Sequence, residues 1–173
     1  MPGSWRQHPR LEGRFHPDHP DDVQVVVHDG GPRLSRAAPE VVWVRITDGE
    51  GDILSGTILN QPSDLVTVSA GSAIRFKIPT SGELPVMITE KYLAERSDWT
   101  VHACNRCGLT ELFDAPSDLL RVVFPPGPGQ PEAEVFTALC GWCGGTQLVQ
   151  RVGTEAIEWP TAKRPKRWWE FWR

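Results

Sequence analysis

All four cysteines of this 173-residue chain lie in two short motifs, Cys104-Asn-Arg-Cys107 and Cys140-Gly-Trp-Cys143. Two CxxC pairs separated by 32 residues can place four thiolates at the corners of a tetrahedron, the geometry that Zn²⁺ takes in closed structural sites. A glycine follows the second cysteine of each pair and suits a tight turn, because glycine adopts positive φ without steric cost. Four thiolates leave no coordination position for water or a substrate. The spacing therefore predicts structural Zn²⁺ bound by Cys104, Cys107, Cys140 and Cys143.

The sequence leaves three other uses of these cysteines open. Two disulfides need an oxidising compartment, whereas the chain begins MPGSWRQHPRLEGRF, without the apolar stretch of a signal peptide. A redox CxxC usually occurs singly in a βαβ unit, and the pattern here indicates none. A rubredoxin-type iron site uses the same two motifs, so the spacing does not separate iron from zinc. Structural zinc in a cytoplasmic protein is the favoured interpretation.

The residue pattern favours a β-rich fold. The chain has 16 Pro and 16 Gly with short Val, Ile and Leu runs between them, and no apolar stretch approaches the roughly 20 residues that span a bilayer. Alternating apolar residues predict a hairpin of residues 40–46 and 52–60 around the turn at 48–52. Thr89 is predicted to cap a short helix that ends at Arg96. Further strands are predicted at residues 23–28, 65–69, 73–78 and 84–88. We expect a mainly β, α+β fold, with a small curved antiparallel sheet or barrel followed by a four-cysteine zinc ribbon.

Four segments are expected along the chain: an arm, a β-rich domain, a zinc ribbon and a tail. The first is rich in Pro, His, Arg and Asp, which predicts an extended N-terminal arm. His16 and His19 lie there on either side of a proline, and a solvated loop is favoured over a metal cluster. In the ribbon, Ser117 is predicted to cap a helical turn that ends at Leu120. Ribbon strands are predicted at residues 122–124, 135–139 and 147–152. The four segments span residues 1–22, 23–99, 100–153 and 154–173.

The C-terminal segment, residues 163–173, combines positive charge with aromatic side chains. It contains five Lys or Arg residues, one Glu, and three of the eight tryptophans of the chain. Three interpretations are open: the segment folds back on its own β-rich domain, docks a partner protein, or lies in an anionic membrane interface. On a helix, most of its aromatic side chains would share one face. The predicted partner-binding residues are Arg167, Trp168, Trp169, Phe171 and Trp172.

Residues 23–99 contain four motifs that together resemble a known bacterial family. The motifs are Pro39-Glu-Val-Val-Trp-Val-Arg45, Gly56-Thr-Ile-Leu-Asn-Gln-Pro62, Ala70-Gly71 and Ser97-Asp-Trp99. This stretch resembles the small YegJ-like domain of unknown function. The resemblance implies a compact β-rich domain of an accessory or binding protein and carries no known activity. The chain departs from that family in its long approach through residues 85–96 and in the appended ribbon.

Charge and the absence of catalytic motifs indicate which function classes to expect. The sequence has no GxSxG, GxGxxG, P-loop or HExxH motif, so we do not expect an enzyme. Residues 100–160 contain three Lys or Arg against seven Asp or Glu, which disfavours contact with nucleic acid phosphates. We expect a non-catalytic zinc-binding accessory protein whose partner is another protein. One such role is immunity-like, with an acidic body that attracts a basic partner. The alternatives are a nucleic-acid-associated ribbon that uses the basic Trp-rich tail, and an adaptor with peripheral membrane contact through that tail.

Overall fold

The computed structural model describes residues 3–30, 37–80 and 84–160, which form two β-sheets and short helices. The first sheet contains β1 (Phe15–His16), β2 (His19–Val27), β3 (Glu40–Glu50), β4 (Ile53–Ile58), β5 (Ala73–Lys77) and β6 (Val86–Ile88). The second sheet contains β7 (Trp99–Val101), β8 (Val135–Leu139) and β9 (Thr146–Arg151). The helices are α1 (Glu90–Glu95), α2 (Pro116–Val123) and three single 3-10 turns at Ser4–Gln7, Pro9–Leu11 and Arg96–Asp98.

The first sheet curls until its last strand meets its second strand. Neighbouring strands pair antiparallel in the order β1 to β6, and β2 also pairs with β6 in parallel at Val26 and Val86. The predicted alternation is present in β3, where Val42, Val44 and Ile46 point into the core. They belong to a cluster of sixteen buried apolar residues in the described structure, whose burial stabilises the curved sheet. The predicted mainly β, α+β fold with a curved antiparallel sheet is confirmed.

The hairpin of β3 and β4 has a closer strand contact than its sequence alone reveals. Its turn is tighter than expected, because β3 continues to Glu50 and only Gly51 and Asp52 separate the strands. Gly56 pairs with Ile46, and a Cβ at Gly56 would lie 2.6 Å from the carbonyl oxygen of Arg45. The hairpin therefore requires glycine at position 56 to keep its strands at bonding distance.

The N-terminal segment differs from the extended arm that was expected. Trp5 and Leu11 lie in the two 3-10 turns and are buried in the core of the first sheet. The Trp5 indole Nε1 donates a hydrogen bond to Asp21 Oδ1 at 3.0 Å, and Arg6 forms an ion pair with the same carboxylate. Two isolated apolar residues give no periodic signal, so the polar composition around them dominated the prediction.

Two predicted strands are absent from the described structure. Residues 65–69 form bends, because the Asp29 carboxylate accepts hydrogen bonds from the amides of Val66 and Thr67 in place of a strand partner. Residues 122–124 instead end α2, which is longer than the predicted turn. Ser117 does not act as its cap: Ala115 occupies the N-cap position, and Glu95 accepts bonds from the amide and hydroxyl of Ser117. The errors at residues 65–69 and at Ser117 come from carboxylates distant in sequence, Asp29 and Glu95, that bind the backbone in these segments.

The second sheet packs against elements that were assigned to the β-rich domain. Its hydrophobic cluster joins Ile88 and Tyr92 to Leu112, Phe136 and Val149. In addition, β7 begins at residue 99 and pairs with β9, so the expected boundary between residues 99 and 100 falls inside a strand. The helix α1 and the second sheet therefore share one core.

Candidate metal centre

Each CxxC motif forms a tight turn closed by its own backbone. The amide of Gly108 donates to the carbonyl of Cys104 at 3.0 Å, and the amide of Gly144 donates to the carbonyl of Cys140 at 2.9 Å. Both glycines have positive φ, 80° and 70°, which favours glycine over any residue with a side chain. The two turns approach each other from opposite ends of the 32-residue insert, which the second sheet folds into a ribbon.

The four sulfur atoms form a cluster of metal-binding size. All four Sγ atoms lie within 4.8 Å of one another, with Cys104 and Cys143 at 3.5 Å and Cys107 and Cys140 at 3.7 Å. A tetrahedral zinc with Zn–S bonds of about 2.3 Å requires sulfurs about 3.8 Å apart, whereas a disulfide requires about 2.05 Å. The residues therefore fit a tetrahedral metal ion and do not form disulfides.

Backbone amides next to the cluster stabilise negative charge on the sulfurs. The amide of Arg106 points at Cys104 Sγ and the amide of Gly145 points at Cys143 Sγ, each at 3.4 Å. These bonds occupy equivalent positions in the two turns and favour thiolate over thiol. Arg106 also donates through its guanidinium to the carbonyl of Cys143 at 2.8 Å, which ties one turn to the other.

All four cysteines can be deprotonated at the same time only if a cation lies between their sulfur atoms. The hydrogen bond to Cys140 and then burial raise the pKa of Cys107 well above its usual range, and burial is the largest cause of the raised pKa of Cys143. Four anions cannot be held this close without a compensating positive charge. A bound divalent metal reverses this balance and deprotonates the ligands. Cys104, Cys107, Cys140 and Cys143 would hold such an ion as a closed shell.

The second CxxC turn is attached to the first sheet through two aromatic rings. Phe113 packs against Gly141, where any added Cβ would collide with the phenyl ring. The other neighbour of Phe113 is His28, just beyond β2, whose ring stacks on it at a centroid distance of 4.3 Å and an angle of 3°. The His28 Nε2–H donates to the carbonyl of Met87 at 2.9 Å, and Nδ1 accepts from the amide of Gly30.

A buried ionic cluster forms a second attachment. Lys77 of β5 and Glu111 of the ribbon form an ion pair whose side chains are 4% and 1% exposed. The same carboxylate accepts from the Tyr92 hydroxyl at 2.8 Å and from Arg96 Nε at 3.1 Å. Burial and the neighbouring Glu111 charge raise the pKa of Tyr92 well above its usual range, so its hydroxyl stays a donor. Gln147 of β9 donates to the carbonyls of Leu109 and Glu111, which links this cluster to the first cysteine turn.

Sequence reasoning missed this ionic cluster. Its members are separated by up to 34 residues and match no motif, and Lys77, Arg96 and Glu111 each resemble an ordinary surface charge in the sequence. One signal was present: Lys77 follows the alternating run Ile74-Arg-Phe76, which assigns it to a strand but not to the inside.

Comparison with known protein families, with curated proteins and with solved structures finds no match. The resemblance of residues 23–99 to the YegJ-like domain thus stays a prediction. Among the described residues, the four cysteines are the single group of three or more metal-ligating side chains with site geometry. No helix in the described part of the chain is long and apolar enough to cross a lipid bilayer. The predicted partner-binding residues Arg167, Trp168, Trp169, Phe171 and Trp172 lie outside the described residues.

Proposed function

We propose that this protein is a non-catalytic, zinc-dependent interaction module that binds another protein. The observation that carries the proposal is the closed shell of four cysteine sulfurs within 4.8 Å of one another, with a backbone amide directed at one sulfur in each turn. A metal ion that is surrounded by four thiolates has no open position, so its contribution is structural. Zinc rather than iron is favoured because it needs no redox partner and suits such ribbon sites.

The metal ion would act by holding the ribbon rigidly on the first sheet. From the first cysteine turn, hydrogen bonds run through Leu109 and Gln147 to Glu111, and from the second, Phe113 contacts His28. A rigid surface binds a partner without a large ordering cost. The acidic charge of residues 100–160 would favour a partner with a basic face, as expected for an immunity-like protein. The C-terminal segment would supply aromatic and cationic anchors.

The metal assignment is tested by the metal content of the purified protein. Elemental analysis should find about one zinc per chain, and Co²⁺ in its place should give the visible bands of a tetrahedral thiolate site. The variants Cys107→Ser and Cys143→Ser should bind less metal, whereas the distant Ser69→Ala should bind the normal amount. A chain that is purified without metal, or with the absorbance of an iron–thiolate site, would overturn the zinc assignment.

The partner assignment is tested by affinity capture in the native host followed by reconstitution. Full-length protein, a form truncated after Ala162 and the Cys107→Ser variant would be compared. We expect one protein to be recovered in stoichiometric amount, to bind again when purified, and to dissociate as salt is raised. Recovery of RNA in place of a protein would reject the proposal in favour of the nucleic-acid alternative. Sedimentation with anionic vesicles in place of protein binding would reject it in favour of the membrane alternative.

A further inference from the structure

Within the described part of the chain, the strand β8 lies at the edge of the second sheet and presents backbone groups that no other strand pairs with. The strand order is β7-β9-β8, so β8 has one neighbour among the described strands. The Glu134 carbonyl accepts a hydrogen bond from the Arg151 amide, and the Cys140 amide donates one to the Gly145 carbonyl, both at 2.7 Å. The backbone N–H and C=O groups of the even-numbered residues of β8 therefore point towards β9. Antiparallel alternation then directs the N–H and C=O groups of residues 135, 137 and 139 away from the sheet. An edge of this kind is a template for an added strand.

The side chains along this edge change from acidic to apolar. Glu132 and Glu134 are exposed where the chain enters β8, and Glu132 makes only a long ion pair of 3.8 Å with Arg151. At the other end, Leu139 is 75% exposed and Trp142, in the second cysteine turn, is 41% exposed. Exposed apolar residues beside an open edge favour association. A complementary segment is basic at one end and aromatic at the other.

The chain itself contains a segment with this order of residues. Residues 163–167 contain four Lys or Arg, and residues 168–172 contain four aromatic side chains. To place the basic half beside Glu132 and Glu134 and the aromatic half beside Leu139, this segment has to run parallel to β8. The order of charges thus fixes the direction of the added strand.

The path of the described chain shows which copy can supply that segment. After β9 the chain turns back beside its own strand, where the Gln150 side chain donates to the carbonyl of Thr154. It then reaches Trp159, whose indole donates to the carbonyl of Ala103 at 2.9 Å. The chain therefore approaches the cysteine turns along the side of β7. A segment that entered the β8 edge from this end would run antiparallel to β8, with the charges mismatched. A second molecule has no such restriction.

We propose that β8 docks residues 163–173 of a second copy of this chain as an added parallel strand. This inference goes beyond the proposed function and does not depend on it, because it concerns contact between identical chains. The outward backbone groups of β8 would pair with the added strand. The two glutamates and the pair Leu139 and Trp142 would set its direction.

Sedimentation equilibrium of the full-length, metal-loaded protein tests this docking. We expect association that strengthens as salt falls, and a monomer after truncation beyond Ala162. Leu139→Glu should raise the dissociation constant at least tenfold. Thr137→Pro should do the same, since it removes an outward N–H that β9 does not use. The control Val66→Glu changes another exposed apolar residue, far from this edge in sequence, and should leave association unchanged. Circular dichroism and metal content establish that each variant is folded.

A charge exchange separates this contact from any other form of self-association. The double variants Glu132→Lys with Glu134→Lys, and Lys166→Glu with Arg167→Glu, should each fail to self-associate. When the two variants are mixed, the unchanged segment of the first can bind the unchanged edge of the second, and the reversed segment can bind the reversed edge. A heterodimer should therefore form, although neither variant associates alone. The proposal is overturned if the full-length protein stays monomeric, if the truncated form associates equally, or if the mixture fails to restore binding. It is also overturned if residues 163–173 cover the β8 edge of their own chain within a monomer.

Discussion

His28 lies at the junction of the two sheets, and its ionisation connects stability to pH. Burial lowers its pKa from 6.5 to about 4, so the folded protein keeps the ring neutral. Between these values the unfolded chain binds a proton that the folded chain does not. The free energy of unfolding should therefore be highest above pH 6.5 and fall by about 3 kcal/mol as the pH decreases to 4. NMR titration of the His28 ring should give the lowered pKa directly.

A matched variant separates His28 from acid release of the metal. His28→Asn keeps a side-chain donor near Met87 but removes the titrating group, so the slope of stability between pH 6.5 and 5 should become smaller. Metal content would be followed in the same samples with a chromophoric chelator. A measured His28 pKa near 6.5 would show that the ring is accessible to water and would contradict its buried position.

Gly145 tests how closely the two cysteine turns must approach. An added Cβ would lie 2.7 Å from Cys104 Sγ and 2.8 Å from the Arg106 Cβ, below normal contact distance. Gly145→Ala should therefore push the turns apart and weaken metal binding by at least tenfold in a competition assay with a chelator. Gly127→Ala is the control, because its Cβ would meet only the end of the Gln130 side chain. Equal metal affinity in the two variants would contradict the packing described.

At the scale of elements, the ion pair between Lys77 and Glu111 joins β5 to the ribbon. Glu111→Gln leaves the Lys77 ammonium buried without a counter-charge, and we expect it to lower the unfolding free energy by about 3–5 kcal/mol. The double variant Lys77→Met with Glu111→Leu should be less destabilised than Glu111→Gln, because no buried charge remains. Urea unfolding would measure both. Glu90→Gln, which breaks the exposed pair with Arg75, is the control and should cost under about 1 kcal/mol.

Elements that local patterns specify were predictable, and those that distant side chains specify were not. The alternation of β3 and the Thr89 cap of α1 are local signals, and both are present. Residues 65–69 have a strand-like sequence, but the Asp29 carboxylate binds their backbone, and no local pattern reveals an acceptor 37 residues away. The cysteine spacing predicted four side chains that the fold does bring together in a cluster able to hold a metal ion, because ligand geometry constrains spacing. The ionic cluster around Glu111 has no such constraint.

At the scale of the whole molecule, three hydrophobic clusters determine which parts of the fold would need a bound metal ion for their stability. The first lies within residues 5–87 and contains no ribbon residue. The second joins α1 to β7, β8 and β9. The third places Val26 and Val86 against Cys104, Phe113 and Cys140. The four cysteines thus pack against the first sheet where β2 meets β6. The closed pairing of β2 with β6 is stabilised from both sides.

Metal removal should therefore affect the two halves of the molecule unequally. Structural zinc contributes on the order of 10 kcal/mol to the folding of small ribbon modules, more than the apolar core of the second sheet can replace. After chelation we expect fast hydrogen exchange at the amides of β8, β9 and α1, while Val42 and Val44 in β3 stay protected. Hydrogen exchange with mass spectrometry, repeated after zinc is restored, would measure this. Equal loss of protection throughout would show that the first sheet also requires the metal, and unchanged protection would show that the cysteine cluster does not stabilise the ribbon.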